Sequence, residues 1–536
     1  MPAPRPFSPT EREAVELLRG LVALAPTNLE DPLHDRYEKP NYPRAAERIT
    51  RLARDAGLAT RVFDPVIEGP PNPHLRNIPR PSVIADLDVG ARERVLLLAH
   101  YDVVPVPTEQ LDRWKSPPHT LTKRSDGRLY GRGSNDDLGS GVVTGLLALR
   151  AIAESGEARR NVRFIVCCDE ETGGEGGVEA MKAHDAALPA RDPARILSGD
   201  VALLPDGSPH ATAGSSGLVF VDTRLPHGVP LPTVIEMGRI LIRLDTMAKV
   251  WRSKLPSPDW PDHGAPFPEI TGRATLTKFD VASAETGPAE RLRLRAARAE
   301  TDAPNQIANA VTLVFEGPAD EQARVREYAT GLVPAPYRVA PAAGTALEVP
   351  PGTTALQIVG LSSHGGYPHR AHNPVPAALD MLNGAVAAGW LDGHAPLTAT
   401  YSVDLRLTPE LPLEEGRLPA VARVREAAAK ARIPAEIDAP EVRCRGGYAL
   451  SPDHPQVVRL ARLLAEEGGE AGVFGEYGGT DASSLLGLTT STGAPLPALV
   501  FGSMDRDAHI HEAEESVDPA VLLGIARTVY RFVQEP

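Results

Sequence analysis

The sequence predicts an α/β protein, a central sheet flanked by helices, interrupted by an inserted α+β domain. Three observations predict it. The apolar runs SVIADL, RVLLLAH, NVRFIVCCD and DVALLPD alternate with helical patterns such as GSGVVTGLLALRAIAESG, as in a layered α/β domain. The runs are nearly continuous in Val, Leu and Ile, as expected of strands buried on both faces. The pattern then changes after about residue 212 and returns to helix–strand alternation after about 410. The expected division is 1–212 and 409–536 for a discontinuous first domain, with 213–408 inserted.

Taken in order, Ser8-Pro9-Thr10-Glu11 gives a capping signal before AVELLRGLVAL. PRAAERITRLARDAGL reads as a second amphipathic helix ended by Gly57. In the insert GLVFVDTRL, ATLTKFDVA and NAVTLVFEG read as strands, and TVIEMGRILIRLD and ADEQARVREYATGL as helices. TALQIVGLSSH, PVPAALDMLNGAVAAGW and TATYSVDLRLT then give strand, helix and strand. The pairing of NAVTLVFEG and TALQIVG with following helices suggests an internal duplication.

The chain has 536 residues, beyond one ordinary core, and 42% of them are hydrophobic, too many for a disordered chain. No uninterrupted apolar run reaches the roughly 18 residues that would span a bilayer. MPAPRPFSPTERE lacks the pattern of a secretory signal. The net charge of −14, without a basic patch, argues against nucleic acid. Three cysteines without a C-x-x-C pair exclude a disulfide framework and a thiolate metal site. A cytoplasmic protein with no membrane partner is expected. Arginines number 48 against eight lysines, so a lone arginine carries little information.

The chemistry gathers where strands end, which is where open α/β sheets bind ligands. His100-Tyr101-Asp102 closes RVLLLA, so an imidazole can meet a metal while a carboxylate fixes its tautomer. In Gly131-Arg132-Gly133-Ser134-Asn135-Asp136-Asp137, glycines allow a close backbone approach, and an aspartate there can bridge two ions. Asp169-Glu170-Glu171 places three acids at one strand end, where they repel unless a cation is present. One glutamate can ligate while the other serves as general base. Asp206 follows DVALLP, and Ala508-His509-Ile510-His511-Glu512 offers two histidines, either of them a candidate ligand. Each motif alone has a bland explanation, as a cap, a turn or a solvated loop. Together they point to zinc, manganese or cobalt.

In this order HYD, GRGSNDDLGSG, DEETGG, LLPDGS, GLSSHGGYPH, VDLRL, GGTDAS and AHIHEAEESV resemble the dinuclear zinc peptidases and deacylases. That family includes carnosinases, aminoacylases, succinyl-diaminopimelate desuccinylase and the monomeric bacterial dipeptidases. The resemblance runs from about residue 10 to 530 and implies a zinc-peptidase catalytic domain with a lid domain. It implies two Zn2+ ions, or Co2+ or Mn2+, held by His100, Asp136, Glu171, Asp206 and His511. Asp136 would bridge, Asp102 would orient His100, and His511 fits because it stands four residues before Glu515. Glu170 would be the general base that generates a hydroxide between the metals. His364 would help hold the oxyanion, and Arg406 would bind a substrate carboxylate. Asn305, Gly479 and Thr480 would also face the substrate.

The reaction so implied is amide hydrolysis in a dipeptide or small peptide with a free carboxylate. N-acyl-amino-acid deacylation is the alternative, and a non-catalytic metal- or amino-acid-binding protein the alternative of another class. The roughly 145 residues between GSSGLVF and His364 resemble the enlarged lid of monomeric members. Monomer and homodimer both stay open, as does action of His364 within its own chain or on a partner.

Overall fold

A computed structural model describes residues 7–28, 41–65, 79–106, 108–190, 192–244, 274–283, 285, 289–301, 306–342, 345, 347–363, 365, 371–409, 411–440, 444–476 and 479–535. In chain order, helices α1 (Glu11–Val22) and α2 (Tyr42–Asp55) precede strands β1 (Ala59–Phe63), β2 (Ser82–Leu87), β3 (Arg94–His100), β4 (Thr122–Lys123) and β5 (Leu129–Tyr130). Then come α3 (Thr144–Ser155), β6 (Asn161–Cys167), α4 (Val178–Ala186), β7 (Val201–Leu204) and β8 (Ala211–Ser215). The insert holds β9 (Gly217–Val229), α5 (Leu231–Ile242), β10 (Ala274–Ser283), β11 (Arg293–Glu300), β12 (Ala310–Glu316) and α6 (Ala319–Leu332). It continues through β13 (Arg338–Pro341), β14 (Thr354–Val359), α7 (Pro374–Ala387), β15 (Leu397–Leu407), α8 (Leu413–Lys430) and β16 (Glu436–Asp438). Last come β17 (Tyr448–Ala449), α9 (Pro455–Glu466), β18 (Val473–Glu476), β19 (Ala498–Val500), β20 (Ser516–Val517) and α10 (Pro519–Gln534).

Two compact units result, one dominated by Met1–Ser215 and Tyr448–Pro536, the other by Ser216–Lys254 and Pro266–Gly447. In the first, the main sheet runs β1-β2-β6-β3-β7-β19-β8-β17, with β18 also on β8. Its centre is parallel: β3 pairs β6 and β7, and β7 pairs β19. Successive side chains of a strand point to opposite faces, and β3 buries both. Leu96 and Leu98 join Val178 and Met181 of α4 in one apolar cluster. Leu97 lies on the other face under α3, where a Cβ on Gly145 would stand 2.6 Å from the Phe164 ring. Each such Leu contributes roughly 1.5–3 kcal/mol on burial. The capping box at α1 forms through Thr10 and Glu13. The stretch Leu138–Ser155 is long and apolar enough to cross a membrane by length and composition, yet 78% of it is buried inside the protein.

The second unit is built on an all-antiparallel sheet, β13-β14-β12-β11-β10-β15-β9-β16. Its core draws on α5, α6, α7 and α8 as well as the sheet. The expected boundary at 408/409 differs from the junction at 447/448. Residues 409–447 belong with the insert because α8 packs into its core and β16 extends its sheet, Ile437 opposite Thr223 of β9.

Candidate metal centre

His100 and Cys167 are register partners at the ends of parallel β3 and β6. The segments that follow therefore leave the sheet side by side, and Asp206 leaves next to them after β7. The Asp102 carboxylate accepts the backbone N–H groups of Glu170 at 3.1 Å and Glu171 at 3.2 Å. His100 Nδ1 lies 3.0 Å from the Asp102 carbonyl oxygen and 3.4 Å from its Oδ1. A proton on Nδ1 bound to that carbonyl leaves Nε2 as the nitrogen able to meet a cation. The carbonyl is thus the nearer partner of the ring, and the carboxylate stands beside the same nitrogen while it holds the Glu170–Glu171 turn.

Asp136 stands between two imidazoles. Its Oδ1 is 3.1 Å from His100 Nε2, and its Oδ2 is 3.0 Å from His511 Nε2. Each imidazole also meets a second carboxylate: Asp206 Oδ1 is 3.9 Å from His100 Nε2, and Glu171 Oε1 is 2.8 Å from His511 Nε2. The five residues His100, Asp136, Glu171, Asp206 and His511 are thereby brought together from segments up to several hundred residues apart. His511 and His509 both adopt left-handed backbone, φ 61° and 51°. Their fates differ: the His511 side chain is 16% exposed and sits in the cluster, while His509 is 49% exposed and lies 3.6 Å from Glu512.

The electrostatics are those of crowded buried acids. Burial, and then the charge of Asp136, push the Glu171 carboxyl up to about 7 against the opposing pull of His511. Burial also lifts Asp206 and Asp137 well above the usual carboxylate range. Burial works against a charged His100, but Asp102 and Asp136 outweigh it and hold the imidazole well above its usual value. Glu171 and Asp136 do the same for His511. Those two histidines in turn outweigh burial and hold Asp136 low.

Sequence reasoning missed Asp137. Its Oδ2 accepts the His100 backbone N–H at 3.1 Å, while its Oδ1 is buried with no hydrogen-bond partner among the described residues. Ligand atoms of His100, Asp136 and Glu171 lie within 4.8 Å of one another, and so do those of His100, Asp137 and Asp206. Surplus buried negative charge, an orphaned carboxylate oxygen and an imidazole–carboxylate donor set without thiolates all fit divalent cations such as zinc, cobalt or manganese.

Thr480, in the same unit, is buried, and its hydroxyl accepts the Ala482 N–H at 3.2 Å. Gly479 has open space where a Cβ would lie. In the second unit Arg406 is buried on β15, with Nε and Nη2 each 2.8 Å from the two oxygens of Asp404. His364 and Asn305 lie outside the described residues. Their flanks are fastened, since Ile307 N donates to Ser363 O at 2.9 Å and Gln306 Nε2 to Ser362 Oγ at 3.2 Å.

Several known proteins resemble this chain in sequence or in fold. A cysteinylglycine-S-conjugate dipeptidase of Corynebacterium striatum is 35% identical over 137 residues, 25% of this chain and 29% of that protein. An uncharacterized metallohydrolase of Methanocaldococcus jannaschii is 34% identical over 105 residues, 19% of this chain and 25% of that one. The matched stretches therefore span under a third of these curated relatives. In fold, the chain is similar to human carnosine dipeptidase 1, with a TM-score of 0.58 at 14% identity over 98% of this chain and 97% of that one. It is also similar to the di-peptidase Dug1p of Saccharomyces cerevisiae, with a TM-score of 0.60 at 13% identity over 98% and 95%. The sequence profile of peptidase family M20/M25/M40 matches residues 96–535, and the chain belongs to that family.

Proposed function

We propose that the chain is a metal-dependent hydrolase that cleaves the amide bond of a dipeptide or other small peptide with a free carboxylate. In this reading two divalent cations, zinc by donor preference, are held by His100, Asp136, Glu171, Asp206 and His511. The observation that carries it is Asp136, whose two oxygens face separate imidazoles, each imidazole with a further carboxylate beside it. Cations bound there would acidify water and polarise the substrate carbonyl.

The chain's own groups supply the rest. Glu170 takes the proton of the attacking water and returns it to the leaving nitrogen. Asp102 fixes the backbone from which Glu170 projects, and the Glu170 charge is one of those that raise Asp206. On sequence resemblance alone we assign oxyanion stabilisation to His364, worth about 2.7–4 kcal/mol for one donor. On the same ground Arg406 binds the substrate carboxylate, with Asn305, Gly479 and Thr480 as further substrate contacts. Asp404 fixes the orientation of the Arg406 guanidinium by pairing with its Nε and Nη2. Three buried cysteines, none of them in a disulfide, favour a reducing compartment, and we propose the cytoplasm.

The test is a substrate panel on the full chain, stripped with chelator and reloaded with Zn2+, Co2+ or Mn2+. Metal-restored hydrolysis of dipeptides is the expected result, in keeping with the dipeptidase named among its relatives. Turnover of N-acetyl or N-succinyl amino acids alone would make it a deacylase. Metal uptake without turnover of either series would leave a binding protein.

A further inference from the structure

Glu515 is fully buried and is not among the proposed ligands. Its carboxylate nonetheless accepts four hydrogen bonds from one loop. Oε2 takes Arg132 Nη1 at 2.8 Å and the Gly133 N–H at 3.0 Å. Oε1 takes the N–H groups of Asn135 at 3.0 Å and of Asp136 itself at 3.2 Å. The Glu515 carbonyl accepts the Gly131 N–H at 3.0 Å, and Asn135 Nδ2 donates to the Ser516 carbonyl at 3.2 Å. The loop bearing Asp136 is therefore wrapped around a side chain four residues beyond His511. Arg132 is itself 1% exposed, and Glu515 is its ion-pair partner. The Asp206 loop makes no bond to Glu515 among the described residues; Ser208 N–H donates to Glu476 Oε1 at 3.0 Å, and Ser140 Oγ, from the turn after Asp137, donates to the Pro205 carbonyl at 2.5 Å.

We infer that Glu515 is a positioning residue that sets the spacing of Asp136 and His511, and so governs one metal position more than the other. The inference rests on the two-cation reading above. The position framed by Asp136, Glu171 and His511 draws two ligands from the segments that Glu515 joins. The position framed by His100, Asp136 and Asp206 draws one. Charge-assisted bonds are about twice as strong as neutral ones, so a neutral side chain of equal size loosens the join without emptying the space.

The experiment is Co2+ titration of the metal-free full chain, read by visible absorption and by bound metal. Wild type is expected to take two ions. Glu515→Gln should weaken one ion roughly 10–100-fold and leave the other within about threefold, as for outer-shell partners of metal ligands. Glu515→Asp, which keeps the charge, should recover part of the loss. Equal weakening of both ions, or none, overturns the inference while leaving two cations in place. A wild-type chain that binds one Co2+ or none sinks the two-cation reading instead. Should Glu515→Gln lack the wild-type thermal transition, Arg132→Gln, which spares the three backbone donors, takes its place: unequal weakening of the two ions supports the inference, and equal weakening or none overturns it.

Discussion

The Asp102 carboxylate reaches from the end of one strand to the start of the turn after its neighbour, where it accepts the N–H of Glu170 at 3.1 Å. A buried side chain thus ties the His100 and Glu170 segments together. Asp102→Asn keeps one acceptor but sets an amide NH2 against a backbone donor. Metal affinity and kcat should each fall roughly 10–100-fold. Competition titration and steady-state kinetics would measure both, and an unaltered kcat would remove Asp102 from the machinery.

Glu170 is assigned proton transfer and no metal bond. Glu170→Gln should lower kcat by about 10²–10⁴-fold while the metal content of the purified protein stays at the wild-type level. Elemental analysis beside kinetics separates the two effects. Loss of metal along with turnover would make Glu170 a ligand.

Metal uptake should release protons. In the metal-free chain Glu171 titrates near 7 and His511 well above the ordinary imidazole value, so at pH 6 both carry a proton that a cation must displace. As pH rises through 7, Glu171 loses its proton and that competition relaxes. Affinity should therefore climb from pH 6 to pH 8, by about tenfold per pH unit for each proton displaced. Chelator competition at the two pH values checks this, and a flat profile would contradict the assignment of both groups.

Arg80 and Asp169 form an ion pair at 3.0 Å that is buried on both sides. Burial and the charge of Asp102 raise Asp169 to about 6, against the pull of Arg80. Arg80→Met should cost about 3–5 kcal/mol by leaving a buried acid without its cation. An acid whose folded pKa is raised holds more protons folded than unfolded, so stability declines as pH rises. The deficit should be larger at pH 8 than at pH 5, by urea unfolding.

Gly145 is where α3 meets the sheet. A methyl group there would stand 2.6 and 2.8 Å from two carbons of the buried Phe164 ring. Helix propensity favours Gly→Ala by about 1 kcal/mol, but overpacking of a rigid contact costs about 1–3 kcal/mol. Gly145→Ala should therefore destabilise on balance, and a raised midpoint in urea would show that the helix can retreat.

The strands that carry the centre were legible because burial on both faces writes an unbroken apolar run, as in Leu96-Leu97-Leu98. The acids were legible because they follow such runs directly. Other parts left no comparable trace. Strand β11 reads RLRAARAE, and its arginines face partners such as Asp280 rather than a core. Strand β16 is three residues long, so nothing in the sequence marks where the insert ends. The partners of Glu515 are mostly backbone N–H groups, which any residue can supply. Periodicity does not separate His509 from His511, since both adopt left-handed backbone outside any regular element; only the spacing to Glu515 favours His511.

The pairing of Glu171 with His511 spans 340 residues of chain. During synthesis at about 5–20 residues per second, roughly 20–70 s pass between the appearance of the first and the second. Throughout that interval the nascent polypeptide displays its acids without the closing imidazole. On the proposed ligand set, ion capture at the Asp136–Glu171–His511 position would have to wait for the last part of the chain, and a ribosome that stalls inside the insert would yield a product with an unfinished centre.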